Sequence, residues 1–205
     1  SIVTALARLD GRAVAVLAGD PGQMGGTWTA AASRKMTRLV ELAETFRLPV
    51  VHFVDVGGFT IGSQAEKAGT IRDGTRAIAT IYQSTVPWCA VILRRAFGVA
   101  GAGMIDHTRF RYRIAWPSGD WGSLPVEGGL EAAFKAQIEA APDPEAAKRE
   151  IRARLERLRS PFRSAERFLV EEIVPPAETR RWLCEFVQLA ARGAETAPRG
   201  FHYRC

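Results

Sequence analysis

The chain has 205 residues, 47% of them apolar, with 28 Lys and Arg against 22 Asp and Glu and a formal net charge of +6. That length buries one good core, so one compact domain is expected. The basic balance permits a nucleic-acid partner, but there is no zinc finger, RNA-binding signature or aromatic-interleaved basic stripe to carry one. No apolar run reaches the ~20 residues of a membrane helix and no leader pattern precedes the first strand, so a soluble cytoplasmic protein is the expectation, without membrane or nucleic acid.

Ile2 to Leu9 and Ala13 to Ala18 read as short β-strands joined by Asp10-Gly11, a two-residue hairpin signal. Gly19 to Gly22 and Gly25-Gly26 break the pattern. From Thr29 to Phe46, Met36, Leu39, Val40, Ala43 and Phe46 recur at helical spacing, with Arg34, Lys35, Arg38, Glu41 and Glu44 elsewhere. Leu48-Pro49 ends that helix. Val50 to Val54 is almost wholly apolar, as in a strand covered on both faces. His52 inside it reads as a core residue with its hydrogen bonds satisfied rather than as a base.

That strand opens onto Gly57-Gly58-Phe59-Thr-Ile-Gly62, and a helix from about Ile71 to Ser84 follows, with Arg72 and Arg76 on a solvated face. Pro87 precedes a third apolar strand, Cys89 to Leu93, which continues through Arg94-Arg-Ala-Phe97 into Gly98-Val-Ala-Gly101-Ala-Gly103. A strand end that opens onto closely spaced backbone N–H groups is one way to build an oxyanion hole without a side chain. The plainer reading is that Gly98, Gly101 and Gly103 permit close helix packing. Strands alternating with helices argue for right-handed crossovers and a largely parallel sheet, whose ligands sit at the carboxyl ends of strands.

Tyr112 to Trp116 is a further short strand, followed by a turn at Pro117 to Gly122 and a helix start near Pro125. Asp143-Pro144 opens a basic helix, Asp143 as N-cap and Pro144 at the first helical position. From Lys148 to Arg159 the acids Glu150 and Glu156 interleave with the bases while Ile151, Leu155 and Leu158 keep helical spacing. This is a solvated amphipathic helix, with an acidic partner or a nucleotide phosphate as the rival use of its basic face. Ser160-Pro161 closes it. Phe168 to Val174 reads as a strand, and a last helix starts at Pro176 to Arg180 with Trp182, Leu183, Phe186, Val187 and Ala190 inward. Residues 1–192 are thus expected to form the domain and 193–205 a flexible tail. Trp116, Trp121 and Trp182 read as core or interface aromatics. Cys89 and Cys184 read as core residues, Cys205 as a free thiol, His107 beside Asp106 as a loop contact, and His202 as part of the tail. With no Ser-His-Asp order and no metal-ligand spacing, no metal is expected.

Several short segments, in this order and spacing, carry a resemblance. They are Ala7 to Val16, Gly25-Gly26, Lys35 to Phe46 into Leu48-Pro49, Gly57 to Gly62, Glu66 to Gly69, Arg72-Asp73-Gly74, Thr85-Val86-Pro87, Ala115-Trp116-Pro117, Glu127-Gly128, Ser160-Pro161-Phe162 and Glu178-Thr179-Arg180. From about Ile2 to about Leu189 the chain resembles the C-terminal half of the carboxyltransferase (beta) subunit of biotin-dependent acyl-CoA carboxylases. The resemblance implies an α/β fold of the crotonase-like (ClpP/crotonase) type, a spiral of ββα units with a C-terminal helical extension. Gly58 to Gly62 and the loop from Phe97 are closer to the methylcrotonyl-CoA type. The propionyl-CoA type usually has Pro where Gly57 stands and Gly-Gly-Ala-Tyr where Gly98 to Gly101 stand. A Met-Gly pair of the family is Leu124-Pro125 here, and Pro125 has no N–H to give.

The implied activity is that of a ligase or transferase subunit: transfer of a carboxyl group from carboxybiotin to the alpha or vinylogous carbon of an acyl-CoA, with two backbone oxyanion holes. By motif match, Val99 and Ala100 supply the N–H groups facing the biotin ureido oxygen, while Phe97, Gly98 and Gly101 line the biotin site. Gly57, Gly58 and Phe59 form its wall, against the plain reading of a tight turn with Phe59 as a core plug. The implied cofactor is biotin on a separate carrier domain. The implied partners are a carboxyltransferase N-half subunit or domain bearing the second hole, a biotin carboxyl carrier, a biotin carboxylase and acyl-CoA. The implied assembly is a hetero-oligomer built as a trimeric ring or hexamer. The rival readings are a biotin-independent decarboxylase or crotonase-like lyase subunit, and a non-catalytic assembly scaffold.

Overall fold

Strands β1 (Ile2–Leu9) and β2 (Arg12–Gly19) pair antiparallel through a turn in which Asp10 and Gly11 both have positive φ, 49° and 76°. That is the two-residue geometry whose twist suits a hairpin. The computed structural model describes residues 1–103, 111–123 and 126–194. Readings that fell on Met104, Asp106, His107, Leu124, Pro125, His202 and Cys205 lie outside them.

Helix α1 (Ala30–Phe46) is capped by Thr29, whose Oγ1 accepts the Ala32 N–H at 3.1 Å. Met36, Leu39, Val40 and Ala43 are buried as the spacing requires, but Phe46 is exposed. The helix ends in a Schellman-type turn. Arg47 is left-handed and the Leu48 N–H reaches back to the Ala43 carbonyl at 2.8 Å, so Leu48 takes the core position that helical spacing assigns to Phe46.

The chain continues through β3 (Val50–Val56), α2 (Ser63–Lys67), α3 (Thr70–Gln83), β4 (Trp88–Phe97), α4 (Gly98–Gly103), β5 (Arg111–Ala115) and β6 (Asp120–Gly122). Then come α5 (Val126–Glu139), α6 (Pro144–Leu158), α7 (Pro161–Ala165), β7 (Glu172–Ile173) and α8 (Thr179–Ala194). The sheet order is β1-β2-β3-β4-β5-β7, parallel except for the first pair, and β6 joins the far end of β4. One face of the sheet packs on α1 and α3 through Leu17, Val50, Val54, Ala90, Ile92, Met36, Val40 and Ile81. The other packs on α8 through Val51, Cys89, Val91, Ile114, Leu183, Phe186 and Val187. Both faces are covered, which is why β3 and β4 are nearly continuous apolar runs.

Asp143 caps α6 as expected, its Oδ1 accepting the Ala146 N–H at 2.9 Å. Helices α5 and α6 share a small cluster of Leu130, Phe134, Ile138, Ile151 and Leu155; Leu158, on the last turn of α6, lies beyond it and is exposed. The expected strand from Phe168 to Val174 shrinks to β7. Phe168 is left-handed and exposed because the Phe168 and Leu169 N–H groups turn back to the Ala165 and Ser164 carbonyls, closing α7 rather than extending a strand. Helix α8 runs to Ala194, past the point where the tail was expected to begin.

Candidate active site at the strand ends

The carboxyl ends of β2, β3 and β4 are drawn together around Asp55. Along the β3–β4 ladder Val54 stands opposite Ile92 but Val56 opposite Ala96, so β4 spends three residues where β3 spends one. In a regular strand Arg94 and Arg95 would point to opposite faces. The irregularity brings both to one carboxylate: Arg94 Nη2 and Arg95 Nε each lie 3.0 Å from an Asp55 oxygen. Arg95 also donates to the Gly25 carbonyl at 2.7 Å, tying in the loop after β2. Gly19 and Gly26 press on the Asp55 carbonyl oxygen from either side of that loop, where an added Cβ would come within 2.5 and 2.6 Å.

The β4 strand passes into α4 without a loop. Gly98 makes this possible with φ of 62°, a conformation natural to glycine. Gly101 lies against the strand itself, an ideal Cβ there falling 2.4 Å from the Ala96 carbonyl carbon, and Gly103 lies against Ile78. The packing reading therefore holds for Gly101 and Gly103, while Gly98 serves the turn. Val99 projects its side chain into solvent at 67% exposure and Ala100 is fully buried. The N–H groups of Gly98, Val99 and Ala100 fall in the first turn, which has no acceptor for them inside the helix. The turn that carries them lies at the carboxyl end of β4.

The loop after β3 lies alongside. The Trp28 N–H donates to the Gly58 carbonyl at 2.9 Å, the Thr60 N–H to the Trp28 carbonyl at 3.0 Å, and the Thr27 and Thr60 hydroxyls share a hydrogen bond of 2.9 Å. Gly58 borders the turn into α4, its ideal Cβ position 3.8 Å from the Phe97 carbonyl oxygen. Phe59 is partly buried against the core: its ring meets Trp28 edge-on at 5.6 Å and lies directly on Gly74 of α3. The ring of Phe97 is also committed, 2% exposed and with the Arg159 guanidinium 4.6 Å above it. The structure thus brings Phe97, Gly98, Val99, Ala100 and Gly101 together with Gly57 and Gly58, chiefly through backbone. Sequence reading missed Asp55, Arg94, Arg95, Asp120 and Arg159. The signal for the first three was charge inside runs otherwise built for burial.

Other candidates lie apart. His52 is fully buried beside Trp88, ring centroids 5.8 Å apart, and its two ring nitrogens have no hydrogen-bond partner among the described residues. It is a core residue, but not the satisfied one expected, and desolvation lowers its pKa from 6.5 to about 3. Arg72 and Arg76 are exposed on α3. Burial pushes the Cys89 thiol far up, and burial with nearby acids raises the Tyr112 hydroxyl to about 12. Trp116 donates to the Thr179 hydroxyl at 2.9 Å, which pins β5 to α8. Among the described residues there is no group of three His, Cys, Asp or Glu placed to hold a metal, and no helix long and apolar enough to cross a membrane.

Comparison with known proteins gives a match over residues 1–205 to the family described as carboxyl transferase domain. The methylmalonyl-CoA carboxyltransferase 12S subunit of Propionibacterium freudenreichii subsp. shermanii is 33% identical over 204 residues, 98% of this chain and 39% of that protein. The propionyl-CoA carboxylase carboxyltransferase subunit of Haloferax mediterranei is 31% identical over 98% of this chain and 40% of its own length. The methylmalonyl-CoA decarboxylase subunit alpha of Veillonella parvula is 30% identical over 97% and 38%. Among solved structures, the transcarboxylase 12S hexamer with methylmalonyl-coenzyme A and methylmalonic acid bound matches with a TM-score of 0.88 at 32% identity, over 99% of this chain and 39% of that one. The chain spans about two fifths of the length of the curated relatives it matches. The crotonase-like α/β fold implied by the motifs is the fold found. The relatives are propionyl-CoA and methylmalonyl-CoA proteins rather than methylcrotonyl-CoA ones specifically.

Proposed function

The chain belongs to the carboxyl transferase domain family, and from that premise we propose that residues 1–192 form the biotin-side half of a carboxyltransferase acting on an acyl-CoA. The observation that carries the reading is the turn from Phe97 into α4. Val99 and Ala100 carry adjacent N–H groups in the first turn of α4, with no acceptor in their own helix. Donors fixed in place before the reaction stabilise a developing oxyanion without reorganising, and this is usually the largest single electrostatic contribution in acyl-type transfer.

A ureido carbonyl fits such a turn, because it needs two convergent donors and close approach to the backbone. Biotin, brought on a separate carrier domain, would supply the carboxyl group. The chain's own part is to hold the Val99 and Ala100 N–H groups in register, with Gly98 setting the turn and the Asp55, Arg94 and Arg95 cluster fixing the strand ends beneath. Gly57 and Gly58 form the neighbouring wall.

Met24, Ile61, Ile71 and Val99 are exposed apolar side chains on and beside these loops. Exposed apolar surface around a site is surface awaiting a partner. We take the partner to be the N-half carrying the acyl-CoA and a second oxyanion hole, in a trimeric ring or hexamer served by a biotin carboxyl carrier and biotin carboxylase. The substrate class that the relatives' names support is a short saturated acyl-CoA. The finer motif reading, the methylcrotonyl-CoA type, rests on Gly58 to Gly62 and on the loop from Phe97 to Gly101; kcat/KM for propionyl-CoA and methylcrotonyl-CoA in the assembled enzyme decides between them.

The direct test assays this chain alone and with its N-half partner. Carboxyl transfer is expected only with the partner, and appreciable transfer by the chain alone would overturn the half-site reading. A decarboxylase role is favoured by the Veillonella relative; in a biotin-independent form of it, activity of the reconstituted complex survives addition of avidin, whereas transfer from carboxybiotin does not.

A further inference from the structure

Arg159 is the residue just past α6, its backbone fixed by N–H bonds of 3.0 and 3.3 Å to the Leu155 and Glu156 carbonyls. Nothing in the basic-helix pattern distinguishes it from Arg152, Arg154 or Arg157, yet its surroundings differ. Those three are exposed, whereas the Arg159 side chain is only 12% exposed. One end of its guanidinium pairs with the Asp120 carboxylate. The planar group lies 4.6 Å from the centre of the Phe97 ring. Its Nε is buried with no hydrogen-bond partner among the described residues.

Both contacts are made where β4 ends. On the β4–β6 ladder Asp120 stands opposite Arg95 and Gly122 opposite Phe97. One guanidinium therefore grips β6 by its acid and β4 by its last aromatic ring, and the peptide after that ring starts the turn carrying the Val99 and Ala100 N–H groups. Arginine suits this because it can stack flat on a ring and bond an acid in its own plane at the same time. Leaving a buried donor unpaired is costly and calls for a reason; here the stacked position over Phe97 supplies it.

We propose that Arg159 is a positioning residue: through Phe97 and Asp120 it fixes the direction in which the first turn of α4 presents its N–H groups. The catalytic consequence rests on the carboxyltransferase reading; the clamp itself does not. Misplacing a catalytic group by about 1 Å costs on the order of 100-fold, so removal of the clamp should appear in turnover rather than in substrate binding.

The test uses the chain assembled with its N-half partner. Arg159→Met is expected to lower kcat about 10-fold or more per titrated site, with KM for the acyl-CoA within about 2-fold. Arg159→Lys, which keeps the charge and the reach to Asp120 but loses the flat stacking surface, should fall between Arg159→Met and the unaltered chain. Asp120→Asn should lower kcat in the same sense, and the double variant should be no worse than Arg159→Met alone. A merely structural residue would lower the melting temperature and the active fraction but leave turnover per site unchanged; kcat within about 2-fold for both Arg159 variants overturns the proposal. If the unaltered assembly transfers no carboxyl group, the functional reading fails, and amide hydrogen exchange over residues 97–103 decides the clamp. Faster exchange in Arg159→Met supports it, and an unchanged rate overturns it.

Discussion

Val99 combines an exposed side chain with an N–H in the first turn of α4. Proline is tolerated there because the N–H it removes has no partner in the helix. Val99→Pro should therefore leave the melting temperature within a few degrees while lowering carboxyl transfer in the assembled enzyme about 100- to 1,000-fold. Val99→Ala, which keeps the N–H, should stay close to the unaltered rate, and a proline variant of full activity would remove Val99 from the site. His52 shows the opposite case, a titratable residue with no place in the chemistry. Its pKa is about 3 folded and 6.5 as the reference. Above pH 6.5 both states are neutral and it contributes no pH dependence. Below that the unfolded chain binds a proton that the folded core refuses, so stability falls by up to about 1.4 kcal/mol per pH unit until the folded pKa is reached. Between pH 7 and 5 this amounts to about 2 kcal/mol by the same relation. Urea denaturation of His52→Leu should show that much less acid sensitivity than the unaltered chain, and equal slopes would show that His52 takes up its proton in the fold. The sequence placed His52 in the core but not its missing partners, because burial follows from strand pattern while hydrogen bonding depends on what the opposing helix offers.

Among the elements, α4 was the hardest to read. Six residues with three glycines look like a loop, and only the strand behind them reveals a helix. Gly101 sits so close to Ala96 that Gly101→Ala should cost about 1–3 kcal/mol by overpacking, more than the ~1 kcal/mol that alanine gains in a helix. Denaturant midpoints measure this, and a stabilised variant would show that α4 does not rest on β4. The hairpin, α1, α3, α6 and α8 were legible because turn chemistry, capping residues and 3.6-residue periodicity agree there. Strand β6 was not, since three residues carry no pattern and its pairing is set by the last residues of β4. Phe46 and Phe168 misled for one reason: each lies where a helix end reverses the chain, so that local spacing no longer says which way a side chain points.

At the scale of the whole molecule, helices cover both faces of the sheet, and the site lies at the strand ends. Ile61, on the loop after β3, is 88% exposed on the rim of the site. Ile61→Asp should leave the circular dichroism spectrum unchanged and weaken association with the N-half about tenfold or more, as measured by titration of one chain with the other. Unchanged affinity would move the interface elsewhere. Fold, family resemblance and the position of the α4 turn were legible because glycine spacing and strand ends are local facts. The clusters around Asp55 and Arg159 were not, since they join residues 39 or more positions apart that meet only through a ladder irregularity or a helix end.

The hairpin turn at Asp10-Gly11 precedes β2 and so lies at the end of the sheet opposite to the strand ends that carry the site. Its own chain neighbours aside, no atom of the described residues comes within 4 Å of an ideal Cβ on Gly11. Open loop tips of this kind accept inserted peptides best. An affinity tag placed between these two residues would anchor the chain to a support by its far pole, leaving the opposite pole free in solution to capture its complement from a mixture.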